Sequence, residues 1–266
     1  MVHSVEVVDP LEQIVVHSIS RFGFQPWVPG GLELSSLKEV RYEAENSPQK
    51  RTMAAEGGQV TPPPVELFIY WLGSGLVASV PFALLLGRLR GLDIRTLGSG
   101  NVGATNLARS AGLGWGVLAF LLDAGKGFAP VMVGQGLGFE RWIPVVAGGV
   151  AVIGHCYSPY LRFRGGKGVA TAAGVLAALD YRLFLGLLLF WGALLAVFRN
   201  VGMASTLAAL GAMGVGLWLL WNGGLLPGER GESAVAGFLL VFSTLVVVRH
   251  RKNVAAYLRP RGEAQP

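Results

Sequence analysis

The apolar positions of this chain fall into long unbroken runs rather than alternating or striped patterns. Seven runs follow residue 65, at about 67–87, 112–137, 142–157, 168–180, 183–198, 201–221 and 234–248. The first, LFIYWLGSGLVASVPFALLLG, has no ionisable side chain except Tyr70 in its 21 residues. About 20 such residues suffice to cross the hydrocarbon core of a bilayer. Backbone polar groups in lipid must be paired within their own segment, so the runs predict helices. The expected fold class is all-α, a polytopic membrane protein with about seven transmembrane helices. The shorter runs would be tilted or only partly embedded.

The first 64 residues break this pattern. They carry eight acidic and five basic residues, end in TPPP and show no sustained apolar stripe. This predicts a disordered extension over 1–64 and a transmembrane domain over 65–266. Met53, shortly before the first run, is an alternative start. No basic cluster closely precedes the first run and no small-residue cleavage site follows it, so a signal peptide is not expected.

Composition agrees with the pattern. The chain is 52% hydrophobic and 14% charged, with a mean hydropathy of +0.51, whereas soluble domains average about 25% charged. The single cysteine, Cys156, excludes an internal disulfide. The net charge of +6 lies mainly in the connectors. If the runs alternate, one side receives Arg88, Arg90, Arg95, Arg109, Arg162, Arg164, Lys167, Arg199, Arg249, Arg251, Lys252, Arg259 and Arg261. The other receives only Arg141, Arg182 and Arg230. Basic residues mark the cytoplasmic side, so the N-terminus is expected outside and the C-terminus in the cytoplasm. The charge then suits a lipid surface and anionic substrates rather than nucleic acid.

The same alternation gathers three polar segments on the basic side: GSGNVGATNLAR (98–109), GHCYSPYLRFRGGKGVAT (154–171) and RHRKNVAAYLRPRGE (249–263). All are rich in groups that bind phosphate: glycine N–H donors, hydroxyls, amides, Arg and Lys. GSGNVG fits G-x-G-x-x-G, but a membrane run precedes it where a dinucleotide fold needs a β-strand. RGGKGVAT fails as a P-loop, because Gly168 follows Lys167 and Leu161 stands at the first glycine position. An acyltransferase H-x-x-x-x-D site is absent from the chain.

Plainer roles compete for several residues. Gly103, Ala104 and Gly112 suit close helix packing, and Arg162, Arg164 and Arg251 suit topology signals. His155 alone reads as a packed histidine rather than a catalyst. His250 and Asn253 differ, because i,i+3 spacing turns both to one helix face. Asp123 and Lys126 share that spacing inside a run where charges are costly, and a structural ion pair is preferred there over direct substrate contact.

Taken together, the three segments resemble the motifs of the PlsY family, bacterial integral-membrane acyl-phosphate:glycerol-3-phosphate acyltransferases. The resemblance covers about 67–263. GSGNVGATNLAR matches the first motif throughout, with Asp93-Ile94-Arg95 and Asp123-x-x-Lys126-Gly127 in support. FRGGKGVAT matches the core of the second motif, and Arg249-His250-Arg251-x-Asn253 the start of the third. Departures lie at the motif edges: Tyr157 replaces a usual Phe, Pro159 comes one place late, Ala256 replaces a usual Arg, and Pro260 and Arg261 disturb the approach to Glu263.

The resemblance implies acyl transfer from acyl-phosphate to the 1-hydroxyl of glycerol 3-phosphate, giving lysophosphatidic acid and phosphate, the first step of bacterial phospholipid synthesis. It implies no metal or cofactor, a site on the cytoplasmic face of the inner membrane, contact with membrane lipid, and a functional link to the enzyme that makes acyl-phosphate. By matching motif positions, Ser99, Arg109, Lys167, Ser205, His250 and Asn253 would surround glycerol 3-phosphate. Asn101, Thr105, Gly165, Gly166 and Gly168 would cradle the acyl-phosphate. His250 either accepts the hydroxyl proton or hydrogen-bonds substrate, since a substrate phosphate oxygen offers a second proton acceptor. The competing class is a permease for a small phosphorylated solute. Against it, the polar segments gather on one face rather than near the midplane between repeats. A lipid-binding structural protein would leave the Ser, Asn and Arg cluster without a purpose.

Overall fold

In the computed structural model the described residues are 59–222 and 230–258. The expected N-terminal extension lies outside them except for 59–64, as do Arg259, Arg261 and Glu263. Among the described residues the regular structure is helical: α1 (Pro64–Ala78), α2 (Phe82–Leu89), α3 (Ala104–Ala111), α4 (Leu113–Gly136), α5 (Trp142–Cys156), α6 (Val169–Leu179), α7 (Tyr181–Phe198), α8 (Val201–Trp221) and α9 (Arg230–Leu258), with a single 3-10 turn at Pro159–Leu161.

Each of the seven apolar runs is helical, but among the described residues five spans are long and apolar enough to cross a membrane: Pro64–Leu89, Leu113–Gly136, Tyr181–Phe198, Val201–Trp221 and Ser233–Leu258. Helices α5 and α6 have 15 and 11 residues. At 1.5 Å per residue they reach about 22 and 16 Å, short of the roughly 30 Å hydrocarbon core.

The first span is broken, and Pro81 explains the break. A proline removes one helical donor and pushes the residue before it out of the α region, so α1 ends at Ala78 and α2 restarts at Phe82. The loosened carbonyls find side-chain donors. Ser158 Oγ donates to Ser79 O (2.7 Å), and Lys126 Nζ donates to Val80 O (2.8 Å). Lys126 also pairs with Asp123 at 2.8 Å, both side chains being buried. The expected ion pair therefore exists, and it serves the kink in the first span.

Polar caps divide the later runs. Asp180 accepts from the N–H groups of Arg182 and Leu183 to start α7, and Asn200 accepts from Met203 N–H to start α8. This is ordinary N-capping. Helices α4 and α6 approach closely because Gly174 lies against Ala124, where a Cβ would collide with the Ala124 carbonyl. Three apolar clusters follow from these pairings. One joins α2, α3 and α4 through Leu84, Leu107 and Ala119. A second joins α4, α5, α6 and α9 through Val131, Val152, Val175 and Phe242. The third joins α6, α8 and α9 through Leu176, Ala212 and Leu239. Helix α7 has no fully buried residue: Leu183, Phe184 and Leu187 pack against the third cluster, whereas Leu185, Leu189 and Phe190 are exposed.

Contacts sort the connectors into two ends. Val60 N–H donates to Gly138 O, and Gln135 Nε2 donates to Ala178 O, so the chain before α1, the α4–α5 turn and the end of α6 share one end. At the other, Arg249 reaches the 157–168 connector, Lys167 meets Asn253, and the Phe198 and Tyr257 rings lie 6.5 Å apart. The three polar segments belong to this second end.

Candidate active site

The first polar segment is shaped from within by Asn106, which is 1% exposed. Its Nδ2 donates to Ile94 O (2.8 Å) and Leu97 O (3.0 Å), while its Oδ1 accepts from Ser99 N–H (3.0 Å). Three bonds from one side chain fix the loop that presents Ser99. Asn101 follows on that loop, Thr105 lies in the first turn of α3 and Arg109 in its last turn. Ser99, Thr105 and Arg109 are exposed and Asn101 is partly so. Nearby Asp93 is held by Arg95 through bonds of 2.6–3.2 Å, which lower its carboxyl pKa to about 2.

The second segment is a tight connector folded back on the end of α5. Gly165 N–H donates to Cys156 O and Gly166 N–H to His155 O. A Cβ at Gly165 would strike the His155 carbonyl, and one at Gly166 would strike the His155 ring. These glycines therefore allow a close approach, and their own N–H groups are already engaged. Gly168 takes the left-handed conformation (φ 84°) that opens α6. His155 is buried, with Nδ1 3.7 Å from Asp123 Oδ1. That is a packed position, whereas Arg162 and Arg164 are exposed.

The third segment supplies one face of α9. His250 is buried, and its Nδ1 lies 2.8 Å from Val246 O. A carbonyl only accepts, so Nδ1 carries the hydrogen and Nε2 keeps its lone pair. One turn on, Asn253 Oδ1 accepts from Lys167 Nζ at 2.7 Å. Lys167 also senses Arg109 and Arg249; burial first, then these two cations, lower its ammonium pKa to about 8. Arg109, Lys167, His250 and Asn253 thus bring the three segments to one place. Ser205, on the first turns of α8, is buried and accepts from Trp191 Nε1 at 3.1 Å.

Ser205 also lines a cavity of ≈ 360 Å³ bounded by α4, α6, α7, α8 and α9. Phe120, Leu176, Trp191 and Phe242 make its walls almost wholly apolar. Val246, whose carbonyl receives His250, lines it too. An apolar chamber therefore begins where the cationic cluster ends.

Comparison with known proteins decides the family. The glycerol-3-phosphate acyltransferase family model matches residues 68–260. This chain belongs to that family. A glycerol-3-phosphate acyltransferase of Rubrobacter xylanophilus is 38% identical over 199 residues, covering 73% of this chain and 92% of the relative. Crystal structures of PlsY, an integral membrane glycerol 3-phosphate acyltransferase, match at 34% identity. Its glycerol 3-phosphate form superposes with a TM-score of 0.65 and its lysophosphatidic acid form with 0.63, each covering 73% of this chain and 92% of that one. The charge pattern agrees with a family named for a phosphorylated alcohol: the cations Arg109 and Lys167 meet beside the imidazole of His250.

Two contributions were not visible as roles in the sequence. Asn106 stands inside the first motif but gives no sign that it spans the loop from Ile94 to Ser99. Arg249 reads as one more basic residue at the start of the third motif. Its signal is only its place beside His250.

Proposed function

We propose that this protein transfers a fatty acyl group from acyl-phosphate to the 1-hydroxyl of glycerol 3-phosphate, releasing lysophosphatidic acid and inorganic phosphate. The observation that carries this reading is the cluster of Arg109, Lys167, His250 and Asn253 beside an apolar cavity that Ser205 and Val246 line. Two phosphorylated substrates need cations between them, and a fatty chain needs an apolar chamber. The cations lie at one end of the bundle, and the chamber extends from Ser205 and Val246 into its interior.

In this reading Arg109, Lys167, Ser99, Ser205, His250 and Asn253 hold glycerol 3-phosphate. Asn101, Thr105 and Gly168 hold the acyl-phosphate, while Gly165 and Gly166, whose N–H groups are engaged with α5, give the loop its close approach. Phosphate is a good leaving group, so orientation of the hydroxyl against the carbonyl supplies much of the rate. The hydroxyl oxygen bonds the acyl carbon as the carbonyl–phosphate bond breaks, and the proton leaves with a phosphate oxygen or through His250 Nε2. Among the described residues the N–H groups of Lys167, Val169 and Ala170 at the open turn of α6 have no hydrogen-bond partner, and in this reading they receive the negative charge.

The same reading has the seven apolar runs traverse or enter the bacterial inner membrane, with the cationic end in the cytoplasm. The bias of thirteen basic residues to three supports that orientation. The test is turnover by the purified protein in lipid, with glycerol 3-phosphate and either palmitoyl-phosphate or palmitoyl-CoA. Equimolar lysophosphatidic acid and phosphate from palmitoyl-phosphate alone is the expected result. A folded sample that makes product from neither donor would reject the reading.

A further inference from the structure

The connector that carries Lys167 has an anchor outside its own sequence. A single guanidinium nitrogen, Arg249 Nη2, lies 3.1 Å from Cys156 O, 2.9 Å from Gly165 O and 2.5 Å from Gly166 O. The same guanidinium stacks over the Tyr157 ring at 5.1 Å. Its neighbour on α9, His250, faces the cluster, and Asn253 one turn later receives Lys167. One helix thus grips the connector through its backbone and contacts its lysine through a side chain.

The grip has a direction. In a trans peptide the N–H points opposite to the C=O. Drawing the Gly166 carbonyl to Arg249 therefore aims the Lys167 N–H the other way. Among the described residues that N–H has no hydrogen-bond partner, and neither do those of Val169 and Ala170 in the following turn. The N–H of Gly166 faces away from Arg249 in the same sense, onto His155 O. Without a cation on the carbonyl side, the 165–166 peptide keeps only its N–H bond to His155 O, and the peptide joining Gly166 to Lys167 has no other described hydrogen bond to set its orientation.

We propose that Arg249 is a positioning residue, whose hold on the carbonyls of Cys156, Gly165 and Gly166 aims Lys167 and the first turn of α6 at the substrate phosphate. This rests on the acyl-phosphate reading above. The role assigned here is the hold of Nη2 on the three carbonyls. Charge-assisted bonds are about twice as strong as neutral ones, so a cation suits a loop whose other residues are glycines. Misplacing a reacting group by about 1 Å is enough to cost roughly a hundredfold in rate.

The test compares Arg249→Ala, Arg249→Gln and Arg249→Lys with the wild type in lipid, each checked by thermal melting. The assay follows lysophosphatidic acid formed from palmitoyl-phosphate and glycerol 3-phosphate. The alanine and glutamine variants should lose about a hundredfold in kcat/KM for palmitoyl-phosphate, and the glycerol 3-phosphate KM should rise with it, because Lys167 holds that substrate. Lysine brings three donors on a cation of similar reach and should restore part of the loss. The pH profile adds a readout that simple scaffolding would not move. Lys167 faces Arg109 from α3 and Arg249 and His250 from α9. Removing the Arg249 charge should raise the alkaline limb of kcat/KM in the alanine and glutamine variants and leave it unmoved in the lysine variant.

Wild-type kcat/KM in a folded alanine or glutamine variant would overturn the proposal. So would lost activity with an unmoved alkaline limb and no rescue by lysine. Failure of both neutral variants to fold would overturn it as well, by making Arg249 part of the scaffold. A wild type that does not turn over palmitoyl-phosphate rejects the underlying reaction, and this is seen before any substitution is made.

Discussion

Asn106 and Lys167 illustrate two different ways a single residue serves the site. Asn106 bonds Ile94 O, Leu97 O and Ser99 N–H from a buried position. Leaving a buried polar group unsatisfied costs about 1–3 kcal/mol. Asn106→Ala should therefore lower the melting temperature and raise the glycerol 3-phosphate KM together, as Ser99 loses its loop. Unchanged melting and kinetics would show that the loop holds without it. Lys167 acts through its charge. Its pKa is lowered to about 8, so the ammonium predominates below that pH and is lost above it. Since kcat/KM reports groups of the free enzyme, it should fall as pH rises through about 8. Arginine stays protonated over that range, so Lys167→Arg should move the fall to higher pH even where overall activity is reduced. A limb that stays in place would assign it to another group.

Among elements, the broken first span and the long α4 depend on each other. Pro81 makes the break legible in the sequence, but the partner that completes it is Lys126, 46 positions beyond Val80. An ion pair between Asp123 and Lys126 followed from their i,i+3 spacing. Its purpose at Val80 O did not, because no local rule links a proline kink to a lysine on a later helix. Removing one member of a buried pair costs about 3–5 kcal/mol. Lys126→Met should destabilise the protein by that order, measured by unfolding in detergent. The double variant Asp123→Asn, Lys126→Met should recover part of the loss, because it leaves no uncompensated charge. Equal melting of wild type and Lys126→Met would mean the kink needs no cap. The short helices α5 and α6 belong to this scale too. Hydrophobicity already marked them as the short runs 142–157 and 168–180, and the structure bounds them at 15 and 11 residues on either side of the 157–168 connector.

The whole molecule joins a cationic end to an apolar chamber. No single segment contains that chamber: its walls come from five helices, and small residues such as Ala172, Ala208 and Ala212 give it volume. If it receives the acyl chain, filling it should shorten the chains accepted. Ala212→Phe should lower kcat/KM for palmitoyl-phosphate far more than for octanoyl-phosphate, in competition assays with both donors. Equal losses would place the acyl chain elsewhere. The family match over 68–260 and the likeness to PlsY cover this same joined unit, from the first span to α9.

By itself the sequence determined the helical class, the apolar runs, the charge bias and the three motifs, because each depends on neighbours in the chain or on residue type. Hydropathy sums over a window, and a motif keeps its spacing in the unfolded chain. The tertiary structure decided the rest: that Arg249 gathers three carbonyls at Gly165 and its neighbours, that the N–H groups of Gly165 and Gly166 are spent on α5, and that Lys167 meets Asn253 across 86 positions. Those outcomes depend on which helix faces lie together. Several packings satisfy the same runs of apolar residues, and only the mutual fit of Gly174 with Ala124, of Lys126 with Val80 and of Arg249 with its carbonyls selects one.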